Sequence, residues 1–179
     1  MTEPTIAVAA PSTHRSGLLI IVLAYAAFIG LGLSNSLLGV AWPSIRATFG
    51  LPIDAVGALL FGSTIGYMAA SALSGRLLTQ LRGGVMLSLS CGLGALAFLA
   101  SGGAPSWAIM VALGVLAGAS AGITDGGLNA YAAAHFSPRA MNWLHACFGI
   151  GATLGPAIMT GVIALGLGWC AGYGAVGAI

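Results

Sequence analysis

The stretch GVLAGASAGITDGG, Gly114 to Gly127, decides what kind of molecule this chain makes. Gly114, Gly118, Gly122 and Gly126 recur at every fourth residue. At about 100° of rotation per residue they trace a stripe along one helix face. A face without side chains lets a second helix come close. Asp125, and Asn129 one turn further on, fall inside the same arc. A short polar break, His135 to Arg139, follows, and then a second run carrying Asn142, His145, Gly149, Gly151, Gly155 and Pro156. An acid aimed at a helix contact within an apolar run suggests transport before any other activity.

Working outward, the composition agrees. Of 179 residues 59% are hydrophobic and only 4% charged. A soluble domain carries roughly 25% charge, because its surface must face water. A chain this poor in charge is an integral membrane protein, and the length of its apolar runs makes it helical rather than a barrel of short alternating strands. Its 29 glycines fit helices that pack closely where lipid supplies no hydrophobic drive between them. The net charge of +2 comes from scattered arginines, with no basic cluster for nucleic acid. Cys91, Cys147 and Cys170 lie far apart in apolar runs and read as small core hydrophobes. No spacing of metal ligands, catalytic constellation, phosphate loop or cofactor motif occurs in the sequence.

Residues 1–16 read as a disordered cytoplasmic tail, and 17–179 as one bundle of transmembrane helices. The first span, Gly17 to Ala41, exceeds the core of a signal peptide, about 7–15 residues, and is retained. Trp42-Pro43 is expected to end it. Further spans run from Ala55 to Leu78, Val85 to Ala100, Trp107 to Ala134 and Met141 to Leu167, and a sixth from Cys170 to Ile179. That last segment covers only about 15 Å, half of the hydrocarbon layer, which makes it a truncated sixth helix. With the N-terminus in the cytoplasm, Arg15, Arg76, Arg82 and Arg139 lie inside and Arg46 outside, as positive charge in membrane proteins is distributed. The expected location is a bacterial inner (plasma) membrane, crossed several times.

An internal repeat is visible. Gly32-Leu-Ser-Asn35-Ser-Leu-Leu38 matches Gly122-Ile-Thr-Asp125-Gly-Gly-Leu128 at an offset of 90, and Gly62-Ser-Thr64-Ile-Gly66 matches Gly151-Ala-Thr153-Leu-Gly155 at an offset of 89. The first pair sits on spans one and four, the second on spans two and five. A unit of three spans reverses the orientation of its second copy, giving a 3+3 inverted repeat.

Asp125 is the leading functional candidate, because a carboxylate at that depth needs a partner or a water-filled cavity. As a proton or substrate site it stands beside the plainer role of tying two helices together. His145 titrates in the useful range and shares one face of its helix with Asn142. Asn35 is a polar contact for a helix or an uncharged solute. Tyr25, Tyr67, Trp107 and Tyr131 read either as stacking rings for a sugar or as interfacial and lipid-facing packing. Arg76 and Arg82 bracket a tight loop, as a gating latch or as topology determinants alone.

These residues resemble the N-terminal half of a major facilitator superfamily transporter. Gly151-x3-Gly155-Pro156 looks like its glycine–proline signature for the fifth helix. Gly75-Arg76-Leu77 through Arg82-Gly83-Gly84 occupies the place of its signature loop between the second and third helices, with Thr79 where that loop has an acid. The run Asn142-Trp-Leu-His145-x2-Phe148-Gly-x-Gly151, with Asp125-x3-Asn129 before it, is similar to the branch of fucose–proton and related sugar symporters. The resemblance implies half of an alternating-access carrier, five complete helices and a truncated sixth. Small polar solutes, sugars among them, and protons would meet Asp125, Asn129, Asn142, His145 and Asn35. The missing C-terminal half or a second copy would complete the cavity. An inert or structural membrane fragment, a helper subunit, and a half-size pore that dimerises remain as alternatives.

Overall fold

The computed structural model describes residues 14–81 and 83–179. Six α-helices and one short 3-10 turn account for nearly all of them: α1 (His14–Phe49), the turn Ile53–Ala55, α2 (Val56–Gln80), α3 (Gly83–Gly102), α4 (Trp107–His135), α5 (Pro138–Ala164) and α6 (Gly168–Gly177). The first five are long and apolar enough to cross a membrane. The protein is an all-helical, multi-pass membrane bundle. At 36 residues α1 is about 54 Å long, well beyond the hydrocarbon thickness, whereas α6, with 10, covers about 15 Å.

Helix ends follow local chemistry. Ser106 and Ser137 cap α4 and α5, their hydroxyl oxygens accepting from the Ile109 and Ala140 amides at 3.4 and 3.3 Å. Pro138 follows Ser137 in the first turn, so α5 starts before the expected Met141. At the other end of α1, Trp42-Pro43 does not end the helix. Pro43 is accommodated inside it, and α1 runs on to Phe49. The stop is Gly50, at φ +65. Its amide donates to the Ala47 carbonyl at 3.4 Å and that of Leu51 to the Arg46 carbonyl at 2.9 Å, the pair of bonds that closes a helix on a left-handed residue. Gly166, at φ +74, closes α5 with the same pair, to Ile163 and Val162. α1 also begins at His14, inside the segment expected to be tail; residues 1–13 of that segment lie outside the described residues.

Small residues decide which helices adjoin. α5 lies parallel to α1: a methyl group on Gly151 would strike the Ile29 carbonyl, and one on Gly155 would meet the Leu33 carbonyl and the Ser36 hydroxyl. α4 lies parallel to α2 along the whole glycine stripe, with Gly114 against Leu59, Gly118 against Ser63, Gly122 against Tyr67 and Gly126 against Ser71 and Ser74. α3 runs antiparallel to α4, with Gly94 against Ser120 and Gly127 against Met86, and α6 antiparallel to α3, with Gly102 against Cys170 and Gly177 against Leu99. α6 also packs on α1, where the Trp169 indole N–H donates to Thr48 Oγ1 at 3.0 Å.

If α1, α2 and α3 are exchanged with α4, α5 and α6, each of these pairings maps onto another: α1–α5 onto α4–α2, α3–α4 onto α6–α1, and antiparallel α3–α6 onto itself. This is the neighbour pattern of two three-helix units of opposite direction. The two sequence matches, however, are not both structural equivalents. Gly32 abuts the backbone around Gly151, so offsets of 90 and 89 would set Gly62 opposite Gly122. Gly122 instead meets Tyr67 and Ser71, about two turns further along α2. Register follows the glycine seam, not the short motif.

Two buried clusters close the bundle. Near the N-terminal part of α1, Ala24 and Phe28 pack with Leu128, Ala132, Leu144 and Cys147. At the far end Trp42, Ile45, Met110, Met159, Trp169 and Tyr173 form the other, with Trp107 and Phe49 against it.

Candidate functional site

The α2–α4 seam brings Asp125 to its partners. Its carboxylate sits half-buried, and each oxygen accepts one hydrogen bond. The Tyr67 hydroxyl on α2 donates to Oδ2 at 2.5 Å, and the Asn129 amide, one turn along α4, donates to Oδ1 at 2.8 Å. The remaining polar atom of that amide, Asn129 Oδ1, is buried with no partner among the described residues. Two donors on two oxygens is the arrangement that satisfies a carboxylate in its acceptor-only, ionised form. No ion pair to Asp125 occurs among the described residues, so only the Tyr67 and Asn129 dipoles meet its carboxyl group there. No group of three His, Cys, Asp or Glu side chains able to hold a metal comes together among them either.

Tyr67 has a second environment. Its side chain helps to line a cleft of about 250 Å³ between α1, α2 and α4. Ser34 and Asn35 enter the cleft from α1, Ser63 and Thr64 from α2, and Ser101 from α3; Gly114 and Gly118 of α4 leave it room. The serine and threonine hydroxyl hydrogens in this wall are already committed, whereas the Tyr173 hydroxyl of α6, which also lines it, makes no hydrogen bond among the described residues. Ser34 donates to the Gly30 carbonyl at 2.9 Å, Ser63 and Thr64 to that of Leu60 at 3.0 and 2.8 Å, and Ser101 to that of Ala97 at 2.7 Å. What these side chains offer the cleft is oxygen lone pairs. Asn35 is exposed, and its amide makes no hydrogen bond among the described residues, so it alone brings free N–H donors.

The structure therefore groups some of the expected site residues and separates others. Asp125 and Asn129 are joined, and Asn35 lines the cleft that Tyr67 also lines, without a hydrogen bond to either of them. Asn142 and His145 are not brought to this cluster. Leu144, Cys147, Gly151, Gly155 and Met159 form the buried stripe of α5, and Asn142 and His145 fall off that stripe onto its exposed surface. His145 meets the edge of Phe28, ring centroids 5.9 Å apart. Pro156, next to Gly155, lies within α5, half-buried. Arg76 is exposed near the end of α2, and Arg82 lies outside the described residues.

Of the four rings weighed as stacking platforms, only Tyr67 lines the cleft. Tyr25 donates its hydroxyl to the Ala140 carbonyl at 3.1 Å, Trp107 packs beside Trp42, and Tyr131 stacks on His135 at 4.2 Å. Among the cysteines Cys147 is buried, but Cys91 and Cys170 are exposed and so are not core residues.

Tyr67 as the partner of Asp125 was missed in the sequence, although a signal was there. Gly62, Gly66, Ala70 and Ser74 form a small-residue stripe on α2 with the same four-residue period as that on α4. Laying one stripe on the other sets Tyr67 beside the turn that carries Asp125. Also unforeseen was a buried hydroxyl chain between α3 and α4, in which Thr124 donates to Ser90 Oγ at 2.9 Å and Ser120 to the Ser90 carbonyl at 2.7 Å.

Among curated proteins none matches the chain. The family model described as Major Facilitator Superfamily matches residues 23–179, from the first third of α1 through α6. The helix count, the glycine seams and the exchange of helix pairs on the page fit that match, and the chain belongs to the major facilitator superfamily, a family of membrane transporters.

Proposed function

We propose that this chain is one half of a secondary active transporter that moves small polar solutes, sugars among them, by alternating access coupled to protons. The observation that carries the reading is the Asp125 carboxylate, the one acid inside a long α-helix among the described residues, held by Tyr67 and Asn129 behind a cleft walled largely with oxygen acceptors. Such a wall suits a solute rich in O–H or N–H donors, and among the described residues no arginine or lysine lines it to pair with an anionic solute. Asn35 supplies the complementary donors. The run from Asn142 to Gly151 supports the fucose and sugar symporter branch, and on this reading Asn142 and His145 act from the exposed face of α5 toward the half that completes the cavity.

That second half, whether a C-terminal half or another copy of this chain, would cover α2 and α5, which carry Phe61, Ile65, Met68, Trp143 and Leu154 exposed. The N-terminus would face the cytoplasm of a bacterial cell, with Arg76 and Arg82 gating that side. The test is solute flux in proteoliposomes containing the assembled transporter under an imposed pH gradient. Asp125→Asn should abolish gradient-driven accumulation while leaving solute exchange in part. Undiminished accumulation in that variant would remove Asp125 from the coupling step.

A further inference from the structure

We infer that Tyr67 converts the protonation state of Asp125 into a change in what the cleft offers a solute. The inference rests on Asp125 as the proton site and adds the residue through which that proton is felt. Asp125 itself does not line the cleft; Tyr67 does, and its hydroxyl is bound to Asp125 Oδ2. With the carboxylate ionised, the Tyr67 hydrogen points at Oδ2, and toward the cleft the phenol shows only lone pairs, as do Ser34, Ser63, Thr64 and Ser101. When a proton arrives on Oδ2, two hydrogens compete for the one line between Oδ2 and the phenol oxygen. The acid O–H becomes the donor, the phenol oxygen the acceptor, and the Tyr67 hydrogen turns away from the carboxyl.

The open direction is the cleft. One proton on Asp125 thus adds a hydroxyl donor on the α2 side of the wall, beside that of Tyr173 on α6, without any movement of a helix. A proton on Oδ1 would face the Asn129 N–H group instead, and relieving that clash requires the amide to turn, which would give its unpartnered Oδ1 a donor. Either site of protonation changes the same small network.

Other ionisable groups do not compete for it. On α2 Arg76 is exposed beyond the cleft, on α3 Cys91 opens on the groove between α1, α3 and α4, and on α1 Tyr25 is bonded to the Ala140 carbonyl while Arg46 lies toward the opposite end. On α4 itself Tyr131 and His135 stack on each other at the helix terminus, and on α6 Tyr173 lines the same cleft stacked on Phe98, without a hydrogen bond to Tyr67. Among the described residues none of these is hydrogen-bonded or ion-paired to Asp125.

The test is pH-difference infrared spectroscopy on the 179-residue chain in phosphatidylcholine vesicles, with tyrosine labelled at its Cζ carbon and the proton as the only ligand. Helix content and a monodisperse elution profile establish that each variant is folded. A carboxylic-acid band that grows as pH falls and is lost in Asp125→Asn reports the proton site. A phenol C–O band that shifts with the same midpoint is expected, lost in Tyr67→Phe and insensitive to pH in Asp125→Asn. If the Asp125 band titrates while the Tyr67 band stays fixed, the relay is wrong and the proton site stands. If no Asp125 band titrates, the relay and the proton-coupled reading fall together.

Discussion

A methyl group on Gly118 would collide with the backbone carbonyl of Ser63, an obstacle that no side-chain rotation removes. Gly118→Ala is therefore expected to push α4 away from α2 and to cost about 1–3 kcal/mol, the usual range for overpacking a tight contact. Gly92→Ala is the control, since a methyl group there meets nothing within 4 Å, and removing a helical glycine should stabilise the chain by up to about 1 kcal/mol. Unfolding midpoints of the two variants in the same detergent, shifted in opposite directions, are the check. A shift of the seam would also lengthen the Tyr67–Asp125 bond, which crosses it. At this scale the sequence was half legible. The stripe on α4 and its acid stand out because their period is local. The phenol that meets the acid comes from a position 58 residues away, and its arrival depends on the register between two helices, which no local period encodes. The same reason hid where Asn142 and His145 lie relative to Asp125: their shared face was readable, but not that the buried stripe of α5 lies elsewhere.

Between helices the question becomes what stops each one, and here α1 is instructive. Trp42-Pro43 looked like a terminator, since proline lacks an amide hydrogen and its ring crowds the preceding turn. Inside a bundle that local penalty is outweighed: Trp42 and Ile45 are buried on either side of Pro43, and their burial holds the backbone helical through it. Gly50 ends the helix because it alone there takes a left-handed φ, and Pro52 prevents any continuation. Gly50→Ala should cost about 1–2 kcal/mol, the penalty for a side chain in that region. Because the Leu51 amide closes the cap on the Arg46 carbonyl, its hydrogen-exchange protection should drop about tenfold, while amides in the middle of α1 keep theirs. The span centres and the number of helices were legible from hydropathy. The ends were not, wherever a glycine at positive φ or a serine cap, rather than the last apolar residue, set the boundary.

Over the whole molecule, two three-helix units of opposite direction put alternate connections at opposite ends of the bundle. The α2–α3 and α4–α5 connections share the end where α1 begins, and the turns after α1, α3 and α5 share the other. Arg76 and Arg139 lie at the first end and Arg46 at the second, so the expectation that the arginine-richer end faces the cytoplasm favours one orientation. That expectation is a topology that can be measured. In a background with Cys91, Cys147 and Cys170 replaced by alanine, His135→Cys should react with a membrane-impermeant maleimide only after intact cells are permeabilised, and Gly103→Cys, in the α3–α4 turn, should react before. Both positions are exposed, so the difference reports sidedness rather than burial. The reverse labelling pattern would invert the bundle, placing the Arg76 loop outside and turning the N-terminal ends of α1, α3 and α5 toward the exterior. Labelling of both sites in intact cells would mean a mixture of orientations, and a single arginine, Arg46, would then be enough to offset the others.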